Sequence, residues 1–125
     1  MNDVTAPRLA VVNAAIKILV EYADDPDGSP ALAELLIDRA TLRFNSDPIA
    51  AIKDVLAAAD MHQLVGYDAQ AQYAWNLADE LLVDLRQMAA NGDTDACAAI
   101  PAAEQLILAA ESPDRDAAPL SLLAA

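Results

Sequence analysis

The sequence predicts an all-α protein: a single compact bundle of four long helices followed by a shorter, proline-broken C-terminal helix. Alanine is the commonest residue, with 30 of 125 positions, and aromatic residues make up only 4%. Such a composition favours helices and disfavours strands. Apolar residues also recur at steps of three and four, the period of one helix face. A chain of this length can form one hydrophobic core, so we assign residues 1–112 to one bundle.

The first helix is predicted from Pro7 to about Ala23, with Thr5 or Ala6 at the cap position. Its apolar residues form two stripes on opposite sides of the helix. One stripe is Leu9, Val12, Ile16, Leu19, Val20 and Ala23, and the other is Val11, Ala15, Ile18 and Tyr22. A helix that is apolar on two sides is either enclosed by the bundle or shared with another chain, and the sequence leaves both alternatives open.

The second and third helices are predicted to begin with a capping residue followed by proline, at Ser29-Pro30 and Asp47-Pro48. Apolar spacing predicts one buried face on the third helix, which should end near Leu64: Ile49, Ile52, Val55, Leu56 and Ala59. In the second helix, Arg39 and Arg43 are expected to pair with acidic residues of neighbouring helices. The alternative is that they bind a carboxylate or phosphate in a cleft.

The fourth helix, predicted from Gln70 to Asn91, has the clearest amphipathic pattern of the chain. Its apolar face is Ala74, Leu77, Ala78, Leu81, Leu85 and Met88. Asp68 is the expected cap and Gly92 closes the end. Because this pattern is the longest, we expect the other helices to pack around the fourth one.

A fifth helical stretch is predicted from Ala96 to Glu111, with a break or kink near Ile100 because Pro101 removes a backbone donor. Cys97 is expected to be a small buried residue, given its alanine-rich surroundings. Residues 113–125 are interpreted as a C-terminal tail that is either flexible or docked.

The charge of the chain is strongly negative, with 7 basic against 20 acidic residues and a net charge of −13. Direct binding of nucleic acid or of an anionic membrane surface requires clustered basic residues, so neither is expected. The acidic excess either keeps the protein soluble or attracts a basic protein partner. Two acidic groups are candidates for that contact: Asp24, Asp25 and Asp27 in a loop, and Asp79, Glu80 and Asp84 on the fourth helix.

Residue types that carry out catalysis or bind metals are scarce. Cys97 is the only cysteine and His62 the only histidine, and the three glycines are far apart. His62 lies near the predicted end of the third helix, where a structural role is expected. We therefore predict no catalytic residues, no metal and no cofactor. No long apolar run or secretory signal pattern is present, so a cytoplasmic location is expected.

The sequence thus favours a non-enzymatic protein that binds another protein, such as an inhibitor, an immunity or antitoxin-like protein, or a mimic of nucleic acid charge. The alternative is a homo-oligomeric subunit or assembly factor that uses Val11, Ile18 and Tyr22 as a two-fold interface. A small-molecule pocket near Trp75 and Phe44 is a third hypothesis.

Overall fold

Five α-helices occur in the part of the chain that the structure describes, and the predicted all-α bundle is confirmed. The computed structural model describes residues 4–111, 119–120 and 123, and no strand occurs among them. The helices are α1 Thr5–Tyr22, α2 Pro30–Arg43, α3 Pro48–Leu64, α4 Asp68–Ala90 and α5 Thr94–Ala110, with a short 3₁₀ helix at Pro26–Gly28.

The predicted caps of α2 and α3 are confirmed. The Ser29 hydroxyl accepts the backbone N–H of Leu32, and the Asp47 carboxylate accepts that of Ala50, both at 3.2 Å. Proline follows each cap at the first helical position, where its missing N–H costs nothing.

The predicted caps of α1 and α4 are wrong. The residue that precedes α1 is Val4 and the one that precedes α4 is Tyr67, and neither side chain caps the helix. Asp68 is instead the first residue of α4, where its carboxylate still interacts favourably with the N-terminal end of the helix dipole.

α5 runs through Pro101 as one assigned helix of 17 residues, as long as α3, so the predicted break and the shorter last helix are wrong. Proline at position 101 deprives the carbonyl of Cys97 of its helical donor. Both residues lie on the exposed side of α5, where water can hydrate that carbonyl. The shortest α-helix is α2, with 14 residues.

The central helix is α3, which packs against α2, α4 and α5, whereas α1 packs against α2 and the 3₁₀ helix. Every residue from Asp54 to His62 is buried. The expectation that α4 would be central is therefore wrong. A helix with a regular polar face keeps that face in water, so it lies at the periphery, and a central helix has no polar face.

The core has two clusters on opposite sides of α3. The larger joins α3 to α4, α5 and the end of α2, with Ile52, Leu56 and Leu85 among its buried residues. The smaller joins α1, α2 and α3, and its buried residues are Ile16, Leu32, Ala33, Leu36, Ala57, Ala58 and Met61. Leu120 and Leu123 also pack against this smaller cluster.

Candidate interaction surfaces

The outward side of α4 carries a group of carboxylates, which we call the α4 acidic patch: Asp79, Glu80, Val83 and Asp84. These positions lie within two turns on one side of the helix. They line an open groove of about 330 Å³. All four side chains are exposed, and Val83 is 54% exposed. The patch therefore combines three hydrated charges with one apolar contact point.

The charges of the α4 acidic patch are not neutralised from within the part of the chain that the structure describes. No ion pair there involves Asp79, Glu80 or Asp84. The nearest basic residue along the helix, Arg86, pairs instead with Glu104 of α5 at 3.6 Å. The negative potential of the patch is therefore available to a partner.

The second predicted acidic group, in the loop before α2, is partly used by the protein itself. Asp24 and Asp25 are exposed, but Asp27 is half-buried, and its Oδ1 accepts the backbone N–H of Leu120 at 2.9 Å. The 3₁₀ helix that contains Asp27 packs against α1 and α3. The α4 acidic patch is on the outward side of a different helix, α4. We therefore treat the loop and the α4 acidic patch as separate surfaces.

The hydrogen bond from Leu120 to Asp27 can be tested by substitution. Asp27→Ala is expected to lower the free energy of unfolding by about 1 kcal/mol, because the N–H of Leu120 loses its acceptor. Asp24→Ala is the matched control, since Asp24 is exposed and accepts no hydrogen bond among the described residues. Urea denaturation of both variants measures the difference, and equal midpoints would contradict the assigned role.

The two apolar stripes of α1 differ in how far they are exposed. In the first stripe Ile16 is buried and Val12 and Leu19 pack against the smaller cluster, whereas Val20 is 42% exposed. In the opposite stripe the large side chains are exposed, with Val11 at 69%, Ile18 at 57% and Tyr22 at 75%, and Ala15 is half-buried. We call Val11, Ala15, Ile18 and Tyr22 the α1 stripe.

A groove of about 490 Å³ runs beside the N-terminal half of the α1 stripe. We call it the α1–α2 groove; it is lined by Pro7, Arg8, Val11, Val12, Asp38, Thr41 and Leu42. Its lining is mainly apolar, with one cation and one carboxylate. By contrast, the hypothesis of a pocket near Trp75 and Phe44 gains no support, because both side chains pack into the larger cluster.

Arg39 and Arg43 pair with an acidic residue of a neighbouring helix, which confirms the first interpretation. The residue is Asp54 of α3, whose side chain is fully buried. Arg39 donates from Nε to Oδ2 at 3.0 Å and from NH2 to Oδ1 at 2.7 Å, and Arg43 NH2 lies 2.8 Å from Oδ2. Arg39 also donates to Asn13 of α1 at 3.2 Å. The cluster therefore links α1, α2 and α3.

His62 is 2% exposed and lies in the last turn of α3. Its Nε2 is 3.2 Å from the Glu34 carboxylate, although the geometry is not that of a hydrogen bond, and its ring stacks on Tyr67 with centroids 6.2 Å apart. Cys97, predicted to be buried, is exposed. Alanines occupy both sides of α5, so the sequence does not show which side of this helix is buried or on which side Cys97 lies.

No group of three or more His, Cys, Asp or Glu side chains among the described residues is arranged to hold a metal ion. Each described helix is also too short or too polar to cross a lipid bilayer. The fold and the surfaces thus define an acidic, all-α bundle with two exposed candidate interfaces. Comparisons with protein-family models, with curated proteins and with solved structures gave no match.

Proposed function

We propose that this is a non-enzymatic protein that binds a basic protein partner through the α4 acidic patch. The observation that carries the proposal is the set of three exposed carboxylates, with no ion pair among the described residues, around an open groove that contains Val83. A partner that carries Lys or Arg side chains beside an apolar residue is complementary to this arrangement.

The physical basis of the proposal is that charge and apolar area act at different stages of binding. A net charge of −13 attracts a basic protein over several ångströms and raises the rate of encounter. Once the surfaces meet, burial of Val83 adds short-range affinity. The patch lies on α4, whose backbone is already ordered, so less entropy is lost on binding.

We propose the same classes of protein that the sequence favours: a small inhibitor, an immunity or antitoxin-like protein, or a mimic of nucleic acid charge. Each of these acts by covering a basic site. We also propose a cytoplasmic location. The exposed thiol of Cys97 is compatible with a reducing compartment.

A triple substitution tests the proposed site. Asp79→Asn, Glu80→Gln and Asp84→Asn together are expected to reduce binding of the basic partner by about ten-fold or more, mainly through the association rate. Partners are first captured from a lysate of the native host on immobilised wild-type protein and identified by mass spectrometry. The purified partner is then titrated against both proteins at low and high salt.

The matched control removes the same charge elsewhere. Glu21→Gln, Asp95→Asn and Glu111→Gln change three exposed carboxylates outside α4 and should leave the affinity nearly unchanged. Binding that resists raised salt, or that falls equally in the two triple variants, would contradict the proposed site, because the effect would then not come from the α4 acidic patch.

A further inference from the structure

Tyr22, the last residue of the α1 stripe, and the α1–α2 groove lie at opposite ends of the same helix. Tyr22, the most exposed of the large apolar side chains described, is at the C-terminal end of α1. The groove opens at the N-terminal end, beside Pro7, Arg8 and Val11. A protruding side chain and a groove at opposite ends of one helix suit an isologous two-fold interface, since each copy then supplies both.

We propose that the α1 stripe forms a two-fold interface with a second copy of the chain, in which the two α1 helices run antiparallel and Tyr22 of each copy enters the α1–α2 groove of the other. The proposal is independent of the α4 acidic patch, which lies on another helix. In this dimer, α1 of the second copy covers the exposed side of α1.

The spacing along α1 fits this arrangement. With the two-fold axis between Ala14 and Ala15, residues equally far from that point lie level in the two copies. Val11 then lies level with Ile18 of the second copy. Side chains on a helix lean toward its N-terminus by about one position. Tyr22 therefore reaches the level of Pro7 and Arg8 in the second copy, where the groove opens.

The centre of the proposed interface is built for close approach of two helices. Ala14 and Ala15 are the residues at the crossing point; Ala14 is exposed and Ala15 is half-buried. Small side chains at a crossing let two helix axes come together, so the longer residues on either side can interdigitate. Val11 and Ile18 would then bury the apolar surface that they now expose.

Charge favours a second copy at this surface, even though the chain as a whole is acidic. α1 is the only one of the five described helices with more basic than acidic residues, having Arg8 and Lys17 against Glu21. Two copies therefore meet where like-charge repulsion between carboxylates is smallest. In the groove, the ring of Tyr22 would contact Arg8 and its hydroxyl could donate to Asp38.

Sedimentation equilibrium of the full chain tests the interface. The wild type is expected to show twice the chain mass of 13.1 kDa. Tyr22→Glu should weaken association by about 30-fold or more, as expected for an aromatic side chain that fills a groove of its partner. Tyr73→Glu is the matched control, because Tyr73 is an exposed tyrosine of α4, and it should stay dimeric. Circular dichroism checks that both variants remain helical.

Cross-linking tests the antiparallel geometry. In a Cys97→Ser background, a mixture of Val11→Cys and Ile18→Cys chains should form a disulfide-linked heterodimer faster than either chain links to itself. A wild type that is monomeric at tens of micromolar would overturn the proposal, as would a dimer that survives Tyr22→Glu or faster self-linking of the Val11→Cys chain. The α4 triple variant should leave the mass unchanged, so failure here is distinguishable from failure of the proposed function.

Discussion

Asp54→Ala is expected to lower the free energy of unfolding by about 3–5 kcal/mol, because it leaves two arginines beside the core without their counter-ion. Asp54 is fully buried, and both of its oxygens are engaged by Arg39 and Arg43. For a domain of this size, such a loss corresponds to a fall of about 10–20 °C in Tm. Thermal and urea denaturation followed by circular dichroism measure it.

The control for this prediction is Asp84→Ala, on α4. Asp84 is exposed and forms no ion pair among the described residues, so its loss should change the free energy of unfolding by less than about 0.5 kcal/mol. If Asp54→Ala were as mild as the control, the buried ion cluster would not stabilise the bundle. Replacing Arg39, Asp54 and Arg43 together by apolar residues should cost less than Asp54→Ala alone, because no unpaired charge then remains.

The ion cluster of Arg39, Arg43 and Asp54 could be predicted only in part from the sequence. Arg39 and Arg43 are one helical turn apart, so they face the same side of α2 and were predicted to pair with acidic residues of a neighbouring helix. The sequence alone does not identify Asp54 as their partner, although Asp54 is the single carboxylate between Ile52 and Ala59 and borders the predicted buried face. A buried charge needs a partner, and the two arginines lie on the preceding helix.

The helices themselves were predictable because alanine content, proline placement and capping residues act locally. The order of packing was not predictable by the same reasoning. The regular polar face of α4 gave the clearest periodic signal, but that face marks a helix at the edge of the bundle. The burial of α3 on all sides depends on Ala57 and Ala58, whose small side chains admit α1 and α2 on the side opposite Leu56.

The candidate surfaces were predicted to different degrees. Exposure of Val11, Ile18 and Tyr22 follows from a helix that carries two apolar stripes and uses the other one, with Val12, Ile16 and Leu19, for packing against the described part of the bundle. The α4 acidic patch follows from the helical spacing of Asp79, Glu80 and Asp84. The use of Asp27 as an acceptor for Leu120 could not be predicted, because it joins residues 93 positions apart. Contacts of that range depend on the packed fold.

Ala58→Arg is expected to have the largest effect on stability, about 5 kcal/mol or more, which is most or all of the stability of a small domain. The face predicted from the sequence for α3 is centred on Ile52, Val55, Leu56 and Ala59, and Ala58 lies on the other side of the helix. A helix with one buried face would tolerate arginine there. In the structure, Ala58 has no exposed surface and lies among Leu32, Leu36 and Met61.

The outcome of this substitution therefore distinguishes a central α3 from a peripheral one. Ala102→Arg is the control, since Ala102 is an exposed alanine in α5 and should tolerate the change. Loss of the cooperative thermal transition in Ala58→Arg, with a normal transition in Ala102→Arg, is the expected result. A folded Ala58→Arg protein would place α3 at the edge of the bundle. The smaller core cluster would then be wrong, and so would the packing of α1 that leaves the α1 stripe exposed.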